Sequence, residues 1–246
     1  MSDPLELEAV RRIFDDWARD SRGPGMEEGH RDIVLQLLDR AGLEHFHHVL
    51  DAGCGSGWTV LLIAELVPGG RAFGVDASPE MIRAALSAPH PPNATFTAAP
   101  VDALPLQEAS IHRAVSMESI YYWPDVLAGL AEIFRVLRPG GRFLSALEFY
   151  ADNPWSAGWA QALGLPLQRL SAARYQELFR QAGFEEVRAS RLVDRRPLKN
   201  PRAFQPGSFF PSYDAYRRHR EEGALLVEGR KPGEETPPPP QASFSA

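Results

Sequence analysis

Val49-Leu50-Asp51-Ala52-Gly53-Cys54-Gly55-Ser56-Gly57-Trp58-Thr59 is the stretch around which the rest of the chain is organised. A short apolar run ends in the Asp51 carboxylate, passes through three alternating glycines and continues into the apolar residues 60–66. A strand, a glycine loop and a helix in this order let the backbone approach a nucleotide-like ligand, because no Cβ stands in the way. The stretch therefore predicts a ligand-binding loop at the end of a strand.

The position of Asp51 indicates which ligand this loop binds. The spacing Gly53-x-Gly55-x-Gly57 differs from the G-x-G-x-x-G pattern of dinucleotide-binding loops. A pyrophosphate here would face the Asp51 carboxylate, and like charges about 4 Å apart repel by about 4 kcal/mol at an effective dielectric constant near 20. S-adenosylmethionine (SAM) carries an ammonium and a sulfonium and no phosphate, so the same interaction becomes attractive. Its carboxylate is expected to accept hydrogen bonds from the loop's N–H groups.

Two further acidic residues follow the next two predicted strands. Asp76 ends the strand at residues 72–75, where an acid accepts hydrogen bonds from both ribose hydroxyls. Asp102 follows the strand at residues 95–97, where an acid accepts from the adenine amino group. Acids at the carboxyl ends of successive strands border the crevice in which open α/β sheets bind ligands.

Strands and helices alternate over most of the chain. Strands predicted at residues 111–117 and 143–149 flank a helix with apolar residues at steps of three and four. Because helices separate the strands, the connections are right-handed crossovers in a parallel sheet with helices on both faces. The pattern predicts an α/β fold with a doubly wound sheet.

The chain resembles the class I SAM-dependent methyltransferases that act mostly on small molecules. The motifs that carry the resemblance are Asp51–Gly57, the Gly-Val-Asp-Ala-Ser-Pro-Glu-Met run at 74–81, Val-Asp-Ala at 101–103, Ser-Met-Glu-Ser at 116–119 and Leu-Arg-Pro-Gly-Gly at 137–141. The resemblance implies a Rossmann-like sheet of seven strands, of which the last is antiparallel. It also implies a methyltransferase (EC 2.1.1.-) that uses SAM and releases S-adenosylhomocysteine (SAH). The residues it assigns to the cofactor are Asp51, Ala52, Gly53, Cys54, Gly55, Gly57, Asp76, Ala77, Met81, Val101, Asp102, Ala103 and Met117.

Several attachments are predicted around the methyltransferase core. The predicted units are a helical cap at 1–44, the SAM-binding core at 45–195 with an inserted cap segment at 151–170, a lid rich in Pro and aromatic residues at 196–222, the last strand at 223–231 and a disordered tail at 232–246.

Candidates for the acceptor site follow the fourth strand or lie on the cap. The catalytic candidates are Glu118, Tyr122 and His30, the last because a histidine titrates near neutral pH. A surface position for His30 and a packing role for Trp17 and Trp123 remain open. Direct displacement of an activated methyl group needs no dedicated base, and the sequence names none. The candidates for the acceptor pocket are Trp17, Glu118, Tyr121, Tyr122 and Trp123.

The composition and net charge of the chain limit which substrates and partners we expect it to bind. The net charge of −6, together with Ser-Met-Glu-Ser in place of Asn-Pro-Pro-Tyr, argues against a nucleic-acid substrate and favours a small, partly apolar acceptor. One cysteine and the lack of an 18-residue apolar run predict a cytoplasmic protein without a membrane partner. A monomer or homodimer is expected, although the sequence does not determine the oligomeric state. No metal site is predicted, because His45, His47 and His48 have no cysteine partner at ligand spacing. Two alternatives remain open, a non-catalytic SAM-binding partner protein and an NAD(P)-dependent oxidoreductase.

Overall fold

A sheet of seven strands lies at the centre of the computed structural model, which describes residues 6–20 and 23–234. The strands are β1 (His48–Ala52), β2 (Arg71–Asp76), β3 (Ala94–Ala98), β4 (Ile111–Met117), β5 (Leu137–Leu147), β6 (Glu185–Leu192) and β7 (Ala224–Arg230). Their order is β3-β2-β1-β4-β5-β7-β6, and β7 runs antiparallel to both of its neighbours. The pairs β1–β2, β1–β4, β2–β3 and β4–β5 are parallel. This confirms the predicted doubly wound, mostly parallel sheet with an antiparallel last strand.

Helices cover both faces of the sheet. They are α1 (Leu7–Arg19), α2 (Gly23–Ala41), α3 (Trp58–Leu66), α4 (Pro79–Ser87), α5 (Val126–Val136), α6 (Trp159–Leu163), α7 (Ala172–Gln181) and α8 (Tyr213–Glu222), with single 3-10 turns at Ile120–Tyr122, Pro154–Ser156 and Pro201–Ala203. Within the described parts of the chain, none of these helices combines the length and apolar character needed to cross a membrane.

Alternating side chains along each central strand build two separate cores. Val49 on β1 and Leu144 on β5 pack with the apolar face of α2 and with α3. Their chain neighbours Leu50 and Phe143 point to the opposite face and pack with α5 and α7. Successive side chains of a strand point to opposite faces, so a strand buried on both sides is apolar throughout.

The segment at 196–222 differs from its predicted irregular structure because it contains α8. Ser212 caps this helix by accepting a hydrogen bond from the Ala215 N–H at 3.1 Å. The helix carries ion pairs at helical spacing, including Arg217–Glu221 at 2.5 Å and Arg218–Asp214 at 2.9 Å. Such a polar helix buries few residues and lacks the apolar stripe by which sequence analysis finds helices.

Cap and lid are joined to each other and to the core by polar contacts. The Arg196 guanidinium, at the start of the lid, donates to the Glu28 and Gly29 carbonyls on α2, and the Arg195 guanidinium, just after β6, lies 3.0 Å from the Asp32 carboxylate on the same helix. The Arg40 and Arg142 side chains both reach Glu228 on β7, each at 2.5 Å. The predicted tail at 232–246 lies outside the described residues except for 232–234, as do residues 1–5 and 21–22.

The strand order fixes where a ligand binds. The chain leaves β1 towards β2 on one side and reaches β4 on the other, so a crevice opens between the carboxyl ends of β1 and β4. In open α/β sheets this switch point is the ligand site. Asp51 lies near the end of β1, and Met117 is the last residue of β4.

Candidate active site

The glycine loop after β1 adopts a conformation that requires glycine. The φ angles of Gly53, Gly55 and Gly57 are +83°, +52° and +87°, in the left-handed region that other residues rarely enter. A Cβ on Gly53 would also lie 2.0 Å from the Oγ of Ser119. The loop is therefore shaped by its glycines and packed closely against the segment that follows β4.

The N–H groups of this loop are engaged within the protein. Those of Gly53 and Cys54 donate to the Val75 carbonyl at 2.8 and 3.1 Å. The Gly55 N–H donates to the Asp76 Oδ2 at 2.9 Å. The expectation that these three groups bind the carboxylate of SAM is therefore wrong; they tie the loop to β2 instead.

A cavity of about 220 Å³ lies at the switch point, bordered by the ends of β1, β2 and β4. Helix α1 adds an outer wall of Leu7, Val10, Arg11 and Phe14, and Met26 comes from α2. The predicted site residues that line this cavity are Ala52, Gly53, Gly55, Asp76, Ala77, Val101, Asp102, Met117, Glu118, Tyr122 and Trp123.

Other predicted site residues do not line the cavity. Met81 is buried in the core at the start of α4, and the Cys54 thiol is buried and points towards the Gly55 carbonyl at 3.6 Å. Trp17 lies instead on a second cavity, beside Asp16 and Phe209. The predicted site residues outside the main cavity are Trp17, His30, Asp51, Cys54, Gly57, Met81, Ala103 and Tyr121.

Asp51 stands behind the cavity wall with an unpaired carboxylate. Its residue exposure is 2%, and none of the residues 6–20 and 23–234 forms a hydrogen bond or ion pair with its side chain. Burial, together with the charge of Asp76, raises the pKa of Asp51 to about 7. A buried carboxylate without a partner is unfavourable unless a cation or a proton joins it. The ammonium group of SAM fits this requirement, whereas a pyrophosphate does not.

Two backbone hydrogen bonds fix the orientation of the Asp76 carboxylate. Its Oδ2 accepts from the Gly55 N–H and its Oδ1 from the Ser78 N–H, each at 2.9 Å. Burial raises the pKa of Asp76, partly offset by these two hydrogen bonds. Each carboxylate oxygen accepts more than one hydrogen bond, so both retain capacity for a ribose hydroxyl.

Helix α1 is docked on the segment that follows β2. The Arg11 Nε donates to the Ala77 carbonyl at 3.0 Å, and the Asp15 Oδ1 accepts from the Ser78 Oγ at 2.5 Å. Arg11 also lines the cavity. This role was not predictable from the sequence, because an arginine on the polar side of an amphipathic helix looks like a solvated residue.

Glu118 begins an acidic cluster at the end of the cavity away from Asp76. Its φ angle is +53°, a strained value for a residue with a side chain, and such strain is often found at functional sites. The Tyr121 hydroxyl donates to its Oε2 at 2.6 Å, and the Glu148 backbone N–H donates to its Oε1. The Nε2 of His30 lies 3.5 Å from the Glu148 Oε2. Glu148 was missed by the sequence analysis because it lies beyond the recognised motifs.

The pKa values of the cluster reflect two carboxylates and a histidine packed together. Burial and the nearby charge of Glu148 raise the pKa of Glu118 to about 7. Burial alone would lower the pKa of His30, but the hydrogen bond and charge of Glu148 outweigh it and raise this pKa to about 9. Burial would raise the pKa of Glu148, yet His219 and His30 hold it well below its usual range.

Fold and site together define a doubly wound α/β protein that binds a cationic nucleoside ligand at its switch point. A family profile described as "Methyltransferase domain" matches residues 49–141. A demethylmenaquinone methyltransferase of Lactococcus lactis is 32% identical over 181 residues, which cover 63% of this chain and 70% of that protein. An O-methyltransferase of Aspergillus sclerotiorum is 30% identical over 176 residues, 68% of this chain, and the match spans 65% of its own length, just under two thirds.

A solved structure is similar over nearly its whole length. The putative methyltransferase of Haloferax volcanii, in complex with the Trm112 methyltransferase activator, superposes with a TM-score of 0.81. It is 34% identical, and the match covers 89% of this chain and 97% of that one. The chain belongs to the class I SAM-dependent methyltransferases, and SAM is its cofactor. The resemblance inferred from the sequence motifs is confirmed.

The unpaired Asp51 leads to a pH-dependent affinity for SAH. Its carboxyl group is about half protonated at neutral pH in the ligand-free protein, and only the carboxylate pairs with the ligand's ammonium. Binding should therefore release a proton, and the affinity should be about tenfold lower at pH 6 than at pH 8. Calorimetric titrations at both pH values, in buffers of different ionisation enthalpy, measure the affinity and the released proton.

The variant Asp51→Asn provides the control. It should bind SAH weakly and without this pH dependence. The folded-state pKa of Asp51 lies above its ordinary value of 3.8, so the wild-type protein loses stability as the pH rises from about 4 to 7. At pH 8 the ligand-free variant should therefore melt higher than the wild type, by roughly 5 °C. A wild-type affinity that is equal at pH 6 and pH 8 would contradict the role given to Asp51.

Proposed function

We propose that the chain transfers the methyl group of SAM to a small, partly apolar organic acceptor by direct in-line displacement. The observation that carries the proposal is the composition of the cavity wall beyond Met117. Apolar groups of Phe14, Met26 and Trp123 surround it, and the Glu118 carboxyl lies at its end. Such a pocket suits an apolar molecule that presents one polar atom to the carboxylate.

The protein's contribution is to bind and align the two substrates. When bound, SAM supplies a methyl group on a sulfonium that is already activated for displacement. Asp51 would pair with its ammonium, Asp76 would hold its ribose and Asp102 its adenine. On the acceptor side, Glu118 would accept a hydrogen bond from the nucleophilic group and fix its direction. Holding the two reactants in line accounts for much of the rate enhancement in such reactions.

The walls exclude water from the reacting atoms. The rings of Phe14 and Tyr122 meet edge to face with centroids 4.8 Å apart, which closes the cavity on the α1 side. The Trp123 Nε1 donates to the Ser119 Oγ at 2.9 Å, and this bond links the indole ring to the residue that packs against Gly53 of the glycine loop. We propose that the cap at 1–44, the inserted segment at 151–170 and the lid at 196–222 together cover the acceptor. The proposed setting is the cytoplasm, with the chain as a monomer or homodimer.

The relatives support this class of acceptor. Two of the relatives are named for demethylmenaquinone and for O-methylation, and a quinol or a phenol combines an apolar body with a nucleophilic atom. An oxidoreductase is disfavoured, because the unpaired Asp51 carboxylate lies where a dinucleotide would place its pyrophosphate.

A second candidate is a SAM-binding subunit that acts only with a partner protein. The Haloferax volcanii chain, 34% identical over 97% of its length, was solved in complex with a methyltransferase activator. In this case the chain alone would bind SAH and show no turnover. The two candidates therefore differ in a direct assay.

The test is a turnover assay with the purified chain, SAM and a panel of quinols, phenols, amines and oligonucleotides. Formation of SAH is expected with at least one quinol or phenol and with none of the oligonucleotides. Glu65 is exposed on α3, away from the cavity, so Glu65→Gln should retain full activity. Turnover that requires an added activator protein would favour the second candidate, and methylation of the oligonucleotides alone would refute the proposal.

A further inference from the structure

Three side chains from distant parts of the chain converge at the acceptor end of the cavity. His30 lies on α2, Glu118 directly follows β4, and Glu148 directly follows β5. One ligand atom from each lies within 4.8 Å of the others. We propose that His30, Glu118 and Glu148 bind a divalent metal ion, a function that the motifs of the family do not assign to them.

The distances suit metal ligands better than a hydrogen-bonded pair. The His30 Nε2 is 3.5 Å from the Glu148 Oε2, beyond the usual 2.7–3.2 Å of an N–H···O hydrogen bond. Metal–ligand bonds of about 2.0–2.2 Å separate neighbouring ligand atoms by about 3.4 Å in a tetrahedral site and by about 3.0 Å in an octahedral one. A metal ion placed between the three groups would thus need only small movements of their side chains.

His30 is oriented as a metal ligand. Its Nδ1 lies 2.9 Å from the Met26 carbonyl, which only accepts hydrogen bonds, so Nδ1 carries a proton. A metal ion would replace the proton on Nε2, and the Nε2 lone pair, which faces Glu148, would then be its ligand. Metal-binding histidines characteristically donate their other N–H to a carbonyl or carboxylate in this way.

The two carboxylates are held by their own set of hydrogen bonds. The Tyr121 hydroxyl and the Glu148 backbone N–H both donate to Glu118, one to each oxygen. The Nε2 of the buried His219 lies 3.7 Å from the Glu148 Oε1. Glu118 and Glu148 therefore each have a polar partner that limits the rotation of the side chain, as is usual around metal sites.

The hydrogen bonds of Asn153 fix the role of His219. The Asn153 Oδ1 accepts from the Trp155 N–H at 3.0 Å, so its Nδ2 is the atom that faces the His219 Nδ1 at 3.1 Å. The His219 Nδ1 accepts this bond, and its Nε2–H points at Glu148. His219 is therefore a positioning residue for Glu148 and not a fourth ligand.

Electrostatics favour a cation between the two carboxyl groups. Glu118 and Glu148 are connected through a backbone hydrogen bond, and each disfavours the ionised form of the other, so the pair attracts positive charge, either on the ring of His30 or on a metal ion that replaces its Nε2 proton. A single imidazole with two carboxylates suits ions such as Mn²⁺, Fe²⁺ or Zn²⁺. Glu118 also lines the cavity, so the ion would have open positions towards the acceptor.

A metal ion at this site would restrict the chemical class of the acceptor. If the proposed function holds, an ion beside Met117 would bind an acceptor through two adjacent oxygens, as in a catechol or an α-hydroxyketone. Metal coordination also lowers the pKa of a bound hydroxyl group, which accounts for a site without a separate base.

The test is metal binding by the full chain. After treatment with EDTA and dialysis, calorimetric titration with Mn²⁺ or Zn²⁺ should show one ion per chain. His30→Ala and Glu148→Gln should each weaken this binding at least 100-fold, and His219→Gln about tenfold. The exposed His90 provides the matched control, and His90→Ala should leave the affinity unchanged. SAH binding should persist in all variants, which shows that they are folded.

The outcomes separate this inference from the proposed function. The inference is overturned if the wild-type chain binds no ion, or if His30→Ala and Glu148→Gln bind it as tightly as the wild type does. Turnover that is undiminished after EDTA treatment would also overturn it, while leaving the methyltransferase activity established. Stoichiometric metal binding without methylation of any acceptor would support the metal site and count against the proposed small-molecule acceptor instead.

Discussion

SAH binding by Asp76→Ala is expected to be at least 100-fold weaker than binding by the wild-type chain. A charged carboxylate that accepts hydrogen bonds from two hydroxyls contributes about 1.5–3 kcal/mol for each bond, so losing both lowers the affinity by two orders of magnitude or more. The substitution also removes the acceptor of the Gly55 and Ser78 N–H groups, which hold the binding loop against the end of β2. Calorimetric titration with SAH measures the loss directly.

Two further variants show whether the effect is specific. Asp76→Asn keeps the shape and part of the hydrogen bonding, and should bind SAH with an affinity between those of the wild type and Asp76→Ala. Asp39, exposed on α2, is the matched surface residue, and Asp39→Ala should bind normally. Circular dichroism should show the same fold for all three variants. Undiminished binding by a folded Asp76→Ala would sink the assignment of the ribose site.

Glu118→Gln is expected to reduce kcat at least 100-fold while leaving the affinity for SAH within about twofold of the wild type. Glu118 follows Met117 and lines the cavity, and in the proposed function its carboxylate acts on the acceptor and not on the cofactor. When a reaction depends on the alignment of its nucleophile, loss of this alignment lowers kcat by a factor of this size. Single-turnover assays with excess enzyme separate this effect from product release.

The strained backbone of Glu118 makes the control important. Its φ angle of +53° is stabilised by the surrounding contacts, so a substitution here also affects folding. Glutamine keeps the length of the side chain and one acceptor oxygen, and the melting temperature should fall by only a few degrees. Glu65→Gln provides the matched surface variant. A normal kcat in Glu118→Gln would place the acceptor elsewhere in the cavity.

The residues expected to bind the cofactor were predictable, because each of them can be recognised from the sequence immediately around it. Asp51 and Asp76 each end a strand, and a glycine loop or a helix cap comes directly after. Parallel strands bring their carboxyl ends to one edge, so the sequence order alone places such residues together. Asp102 was placed on the cavity by the same reasoning, whereas Met117 was assigned through the resemblance to the family's motif at 116–119.

The residues proposed to surround the acceptor were only partly predictable, because tertiary contacts bring them together from distant parts of the chain. Glu118 was recognised from its place after β4, but its partners His30 and Glu148 lie 88 residues before and 30 residues after it in the chain. No local pattern connects them. Arg11 and His219 were missed for the same reason, since each lies on a polar helix whose surface residues look alike in sequence.

The two halves of the cavity come from different parts of the chain, and this has an evolutionary consequence. Most of the residues expected to bind the cofactor lie on one stretch, from Asp51 to Asp102, whereas the cavity wall proposed for the acceptor is gathered from α1, α2 and the segment after β4. Mutations in these segments leave Asp51, Asp76 and Asp102 unchanged, provided that Arg11 and Asp15 continue to dock α1 on the segment after β2. New acceptors can therefore be acquired by gene duplication and drift in these segments, in a lineage that never loses its cofactor.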